Sequence, residues 1–270
     1  MASNTAGNTA GNVVLDVKNV TVQFGGLRAN EDVSFDVRRN ELFALIGPNG
    51  AGKTTMVNAI TGVYQPLAGA SVQFTDAKGE THDLLGRKPN HIVKLGISRT
   101  FQNLGLYPEM SVLENLMLGR FVHRKTGILS AGFFTKKMVK EELEMREIAE
   151  EIIHLLKLER VRWEAAGSLP YGLQKRIEFG RVLAMRPHLL MLDEPMAGMT
   201  VEEKKDMVRF IYEALNQLDI TVFIIEHDMG VVMSIADRVG VLNFGSRIAL
   251  GTPDEVQQDP VVRAAYLGSH

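Results

Sequence analysis

The chain contains no cysteine, which removes disulfides, cysteine zinc sites and cysteine nucleophiles from consideration. That absence fits a reducing compartment. Nowhere does the sequence offer the roughly 20 continuous apolar residues that span a bilayer. An excess of one charge is missing too. Lys plus Arg number 30 against 32 Asp plus Glu, a net charge of −2 over 270 residues, so no basic field exists to drive general nucleic-acid binding. The start, "MASNTAGNTAGN" (residues 1–12), has neither a basic n-region nor an apolar h-region. It reads as a disordered tail rather than a signal peptide. No internal repeat is found. The expectation is a soluble cytoplasmic protein, long enough for one large domain or a core with a subdomain, that meets a membrane only through partners.

What is present alternates between strand and helix signals. "VVLDVKNVTVQF" and "EDVSFDVRR" alternate apolar and polar residues and read as strands, whereas "ELFALIG", "HLLMLDEP" and "ITVFIIEHD" are apolar runs suited to buried strands. "ASVQFTD" is a further strand candidate, and the polar "AKGETHDLLGRKPN" reads as loop. Between Lys140 and Leu158, apolar residues recur at Met145, Ile148, Ala149, Ile152, Ile153 and Leu156, a helical spacing. The layout implied is an α/β core, interrupted by a helical segment over roughly residues 103–185, with a mostly antiparallel β-layer. Residues 13–270 then make one domain.

"GPNGAGKTT" fits the pattern of Gly, four residues, then Gly-Lys-Ser/Thr. Gly47, Gly50 and Gly52 let the backbone aim N–H groups at a phosphate without Cβ interference, with Pro48, Asn49 and Ala51 between them. Lys53 supplies charge to the β- and γ-phosphates. Thr54 supplies a hydroxyl to Mg²⁺, and the helix opening there, with Thr55 in its first turn, presents its positive end. Asp193, ending the apolar run "LLMLD", is placed to bind Mg²⁺ directly or through water. Glu194 beside it is the candidate base for activating water, and His227 after "FIIE" is a third acid–base candidate. His82, His91, His123, His154, His188 and His270 lack such context and read as surface or packing residues.

Together "FGGLRANEDVSF", "IGPNGAGKTT", "RTFQNLGLYPEMSVLENLMLG", "LPYGLQKR", "LMLDEPMAG", "IIEHDMGVVM" and "GTPDEV" resemble the ATP-binding subunits of ABC transporters. More closely, they are similar to the LivG-type ATPase of branched-chain amino acid uptake systems, over nearly all of Val13 to Gly268. The resemblance implies a P-loop NTPase cassette with a RecA-like core, an antiparallel β subdomain and a helical subdomain, with ATP and Mg²⁺ as ligands. It places Phe24 against adenine, with packing in the β-layer as the competing role. It places Gln102 at Mg²⁺ and attacking water, and His227 at the γ-phosphate.

Leu169, Pro170, Tyr171, Gly172, Leu173 and Gln174 stand where such proteins carry the signature that closes over the ATP of a facing subunit. Common cassettes read Leu-Ser-Gly-Gly-Gln there. Pro170 replaces the serine, and proline suits a first helical turn, so the anion site is expected to survive. Thr200 stands where many cassettes carry Asp, which puts the usual cross-dimer carboxylate contact in doubt. The partners implied are a second ABC ATPase, two membrane permeases and, indirectly, a solute-binding protein, with the chain peripheral on the cytoplasmic face of the cell membrane. The segment over residues 126–137, with Phe133 and Phe134, is ambiguous between permease contact and subdomain packing. A soluble P-loop kinase or GTPase is the rival class, but no Asn/Thr-Lys-x-Asp guanine motif occurs. Non-transport cassettes of DNA repair carry long coiled-coil inserts, and ribosomal ones usually carry twin cassettes. This chain has neither.

Overall fold

The computed structural model describes residues 13–100, 105–123 and 136–267. The tail and most of the 126–137 segment, Phe133 and Phe134 included, lie outside them. The strands in chain order are β1 (Val13–Phe24), β2 (Leu27–Arg38), β3 (Leu42–Ile46), β4 (Ser71–Thr75), β5 (Thr81–Asp83), β6 (Ile97–Arg99), β7 (Leu189–Asp193), β8 (Thr221–Ile225), β9 (Arg238–Asn243) and β10 (Ser246–Gly251). The helices are α1 (Lys53–Ile60), α2 (Pro89–Lys94), α3 (Val112–Gly119), α4 (Lys136–Leu155), α5 (Tyr171–Ala184), α6 (Val201–Leu218), α7 (Met229–Ile235), α8 (Pro253–Gln258) and α9 (Pro260–Leu267). They fall into two compact units, one formed by the chain up to Ile92 and from Ile220 onward, the other by Val93–Asp219.

In the first unit β1 pairs antiparallel with both β2 and β4, and β5 extends that sheet beyond β4. β5 lies inside the stretch that reads as loop. Asp76 explains it: its Oδ1 accepts the N–H groups of Lys78 and Glu80 at 2.9 and 3.0 Å, and Oδ2 meets His82 Nε2 at 3.0 Å. An aspartate closing a turn on itself lets a short polar strand form.

β3 lies between β8 and β9, parallel to both, with Leu42 opposite Val222 and Ala44 opposite Val239. Every residue of β3 and β8 is buried, as expected of parallel strands covered on both faces. β10 returns antiparallel on β9. Phe35 of β2 stacks on Phe43 at 5.3 Å, and Phe43 lies 5.6 Å from Phe223. This aromatic seam fastens the antiparallel layer to β3 and β8, and each ring contributes about 1.5–3 kcal/mol on burial. Beside it Arg238 forks onto Asp36 at 2.9 and 3.0 Å and reaches Glu41 at 3.2 Å. Burial raises the Asp36 carboxyl, but the hydrogen bonds and charge of Arg238, with Arg38, outweigh it and hold the group below its usual range.

In the second unit β6 and β7 run parallel, Ile97 opposite Leu189. α4 starts at Lys136, and its stripe Ala149, Ile152 and Ile153 is fully buried, as the spacing predicts. α3 is opened by a Ser111–Glu114 capping box, and it contributes Asn115. This fully buried amide accepts from Tyr107 N–H and donates to the carbonyls of Tyr107, Met110 and Ser111. Among the described residues no helix is long and apolar enough to cross a membrane.

Candidate nucleotide site

β3 delivers the chain into the glycine-rich loop, and α1 begins at Lys53. Gly47 lies where a Cβ would stand 2.2 Å from the Leu242 carbonyl oxygen, so only glycine fits. Gly50 and Gly52 both have positive φ, 81° and 98°, which glycine adopts without steric cost. The loop's carbonyls are drawn backward. The buried Lys53 ammonium donates to Gly47 O at 2.7 Å and Pro48 O at 2.9 Å. Gly245 N–H takes Ala51 O at 3.2 Å, and Asn30 Nδ2 takes Gly52 O at 3.2 Å. What the loop leaves for a ligand is its amide side, with exposed Asn49 and Gly50 at the tip and Thr54 and Thr55 half-buried in the first turn of α1. A backbone concavity of this kind, continued by a helix N-terminus, binds phosphate.

In the second unit β7 ends on Asp193, which is 1% exposed. Its Oδ2 accepts from Arg99 Nη2 at 2.8 Å, and its N–H donates to Thr100 Oγ1 at 3.1 Å. Oδ1 is buried and has no hydrogen-bond partner among the described residues. An ionised oxygen withdrawn from water and left without a donor is costly. A cation or its bound water would complete it, so the residue fits a divalent metal. Glu194 follows in the left-handed region at φ 49°, in a turn closed by Ala197 N–H on its carbonyl at 3.2 Å. Non-glycine residues held there concentrate at functional sites. Gln102 lies outside the described residues.

After β8, the His227 imidazole is exposed while Glu226 is buried. Glu226 Oε2 accepts the His227 N–H at 3.2 Å and lies 3.8 Å from Nδ1. The buried carboxylate thus braces the exposed ring. Phe24 is 46% exposed and meets Tyr64 edge-on at 5.0 Å. Phe24 is thus not a buried core residue, and its exposed part faces outward where a base could stack.

The signature stretch differs in detail from its sequence expectation. Pro170 is not inside the first turn but is the N-cap of α5, at φ −54° and ψ 150°. The helical ladder starts with Gln174 N–H on Pro170 O at 3.0 Å, so the amides of Tyr171, Gly172 and Leu173 precede it. A serine at an N-cap turns its own oxygen onto such amides, whereas proline leaves them uncapped. Leu169 is buried, and its carbonyl accepts from Gln174 Nε2 at 2.7 Å. Tyr171 is exposed, with its hydroxyl on Ala197 O at 3.3 Å.

Gly172 is buried, and a Cβ there would fall 2.0 Å from Glu203 Oε1. The obstacle to a side chain is therefore already within this chain. Glu203 is held by Thr200: Oε2 accepts from Thr200 N–H and Oγ1, both at 2.9 Å, and these bonds lower the Glu203 carboxyl. Thr200 in turn caps α6. Further along α5, Lys175 and Glu178 form a buried pair at 3.4 Å, burial raising the Glu178 carboxyl. Arg181 donates to the Gly105 carbonyl.

Sequence reasoning missed Asn30, Arg99, Thr100, Tyr64, Glu203 and Glu226. Each acts by touching a motif residue; Asn30, Arg99, Thr100 and Glu226 lie inside quoted motif stretches, whereas Tyr64 and Glu203 do not.

Residues 30–197 match the family described as ABC transporter, and residues 246–270 match the branched-chain amino acid ATP-binding cassette transporter family. The chain is 39% identical to the high-affinity branched-chain amino acid transport ATP-binding protein BraF of Pseudomonas aeruginosa, over 94% of this chain and 98% of that one. It is 38% identical to the LivG protein of the same description from Escherichia coli K12, with the same coverage. Among solved structures, an ATP-binding cassette of an ABC transporter in its ADP conformation superposes with a TM-score of 0.80. It is 34% identical, and the match covers 95% of this chain and 99% of that one.

Proposed function

The chain belongs to the ABC transporter family of ATP-binding cassettes, and on that footing we propose that it hydrolyses ATP to energise branched-chain amino acid import. The loop whose carbonyls are pulled back by Lys53, Gly245 and Asn30 is the observation that carries the reading. It leaves backbone amides as the ligand-facing groups, which is what a polyphosphate requires.

The roles then divide as follows. Lys53 leaves its carbonyl partners for the β- and γ-phosphates, and Phe24 takes the base. Thr54, Asp193 and Gln102 hold Mg²⁺, which when bound neutralises phosphate charge. Glu194 accepts the proton of the attacking water, and His227, braced by Glu226, contacts the γ-phosphate. The segment Leu169–Gln174 offers the uncapped start of α5 to ATP on a facing cassette. Partners are a second ABC ATPase and two permeases on the cytoplasmic face of the membrane, with a solute-binding protein supplying the amino acid. The names of the relatives support the choice of solute.

Two variants test the site. Lys53→Ala loses ATP binding, because a phosphate-facing charge is removed. Glu194→Gln keeps binding and loses turnover. Wild-type phosphate release by Glu194→Gln in the assembled complex refutes the base.

A further inference from the structure

The turn that carries Glu194 is pinned at Ala197 from two directions. Ala197 N–H closes it onto the Glu194 carbonyl at 3.2 Å, and Met199 N–H adds a second closure onto Met196 O at 3.3 Å. The Ala197 carbonyl leaves the turn and accepts from the Tyr171 hydroxyl at 3.3 Å, across 26 positions of sequence. The tyrosine ring lies along the same turn. A Cβ on Gly198 would stand 3.1 Å from Tyr171 Cε1, and Gly198 itself has a positive φ of 75°. One turn further along α5, the Lys175 ammonium sits 6.0 Å from the ring centroid, anchored by its buried pair with Glu178.

Packing alone does not account for this placement. Tyr171 is 44% exposed, so its ring gains only part of what burial gives, and water is at hand to satisfy its hydroxyl. The side chain instead turns onto its own chain, whereas the backbone amides at the start of α5 are left for a ligand. Glu194 needs such a brace. It is a non-glycine residue at φ 49°, a conformation that persists only where its surroundings over-determine it. A base must also sit within hydrogen-bond reach of the water it activates, and a shift of about 1 Å is enough to forfeit much of the rate.

We propose that Tyr171 is a positioning residue for Glu194. The side chain of this signature residue thus serves hydrolysis at its own chain's site, while the backbone of the same stretch faces the ATP of the other cassette. The proposal rests on Glu194 being the base.

The test measures ATP turnover of the assembled complex with four forms of this chain: wild type, Tyr171→Phe, Glu194→Gln and the double variant. Tyr171→Phe keeps the ring and removes the hydroxyl. The expected result is a kcat about two- to ten-fold lower, the range of one hydrogen bond, with KM for ATP unchanged. In the Glu194→Gln background the same change has no effect, because the base that Tyr171 positions is already gone. A residue that touched the facing ATP, or that merely held the fold, would lower the residual turnover of Glu194→Gln by the factor it takes from wild type, and that result overturns the proposal. Wild-type kcat in Tyr171→Phe, with turnover lost in Glu194→Gln, also overturns it and leaves the base standing. Wild-type turnover in Glu194→Gln overturns the base and the proposal together.

Discussion

Arg99→Ala isolates the Asp193 carboxylate. The pair is almost wholly buried, with 10% and 1% of the two side chains exposed and Nη2 on Oδ2 at 2.8 Å. Among the described residues Asp193 Oδ1 has no donor and Arg99 is the cation paired with the group, so removing Arg99 strips it of that countercharge. Deleting one partner of a buried pair costs about 3–5 kcal/mol, because the remaining charge is left uncompensated. In a chain of this size each kcal/mol lowers the melting temperature by about 2–4 °C, which puts the drop near 10 °C. Asp193→Asn removes the same charge from the other side, so the two changes overlap. In the double variant Arg99→Ala/Asp193→Asn the penalties fall short of their sum by about 2 kcal/mol or more, well outside the few tenths expected of independent sites. Thermal and urea melts of the four chains measure this. Simple additivity, or a loss in Arg99→Ala under about 1 kcal/mol, refutes the claim that Arg99 neutralises a buried Asp193.

Other expectations follow from the same contacts. Gly172→Ala drives a Cβ into Glu203 Oε1 and destabilises the chain by about 1–3 kcal/mol, as over-packing does. Adding Glu203→Ala recovers part of that loss, and denaturant melts of the two variants decide it. Pro170→Ser supplies the missing cap and stabilises α5 by about 1 kcal/mol, with a modest change in ATP turnover of the assembled complex in either direction; a loss of stability in the melt contradicts the N-cap assignment. Against the effect of burial, the hydrogen bonds and charge of Arg238 hold the Asp36 carboxyl below the ordinary aspartate range. A depressed acid stabilises the fold above its unfolded pKa and loses that contribution as pH falls through the folded one. Stability therefore drops on acidification from about pH 4 downward, and Asp36→Asn, already lacking that contribution, shows a flatter acid limb in melts taken across that range.

Much of this was legible in the sequence because the motifs are local. "GPNGAGKTT" fixes strand, loop and helix within a few residues, and the apolar runs of β3, β7 and β8 read directly as buried strands. β5 was not legible, since its formation depends on an Asp76 side chain closing a turn rather than on any apolar alternation. The supporting residues were hidden for a different reason. Arg99 and Asp193 are 94 positions apart, and Asn30 stands 22 before Gly52. One chain carries no trace of which distant residue answers which motif. Pro170 shows a finer limit: its residue type pointed to a helix start, but only backbone angles separate a cap from a first turn.

The central claim is that this chain couples ATP hydrolysis to solute import, and transport by the assembled complex tests it most directly. With the partner ATPase, the permeases and the binding protein in vesicles supplied with Mg-ATP on the cassette side, radiolabelled leucine accumulates and phosphate is released in step. With Glu194→Gln in place of the wild-type chain, ATP still binds, but both phosphate release and accumulation fall at least about ten-fold. Leucine accumulation that continues at the wild-type rate with Glu194→Gln, or that proceeds without ATP, contradicts the account.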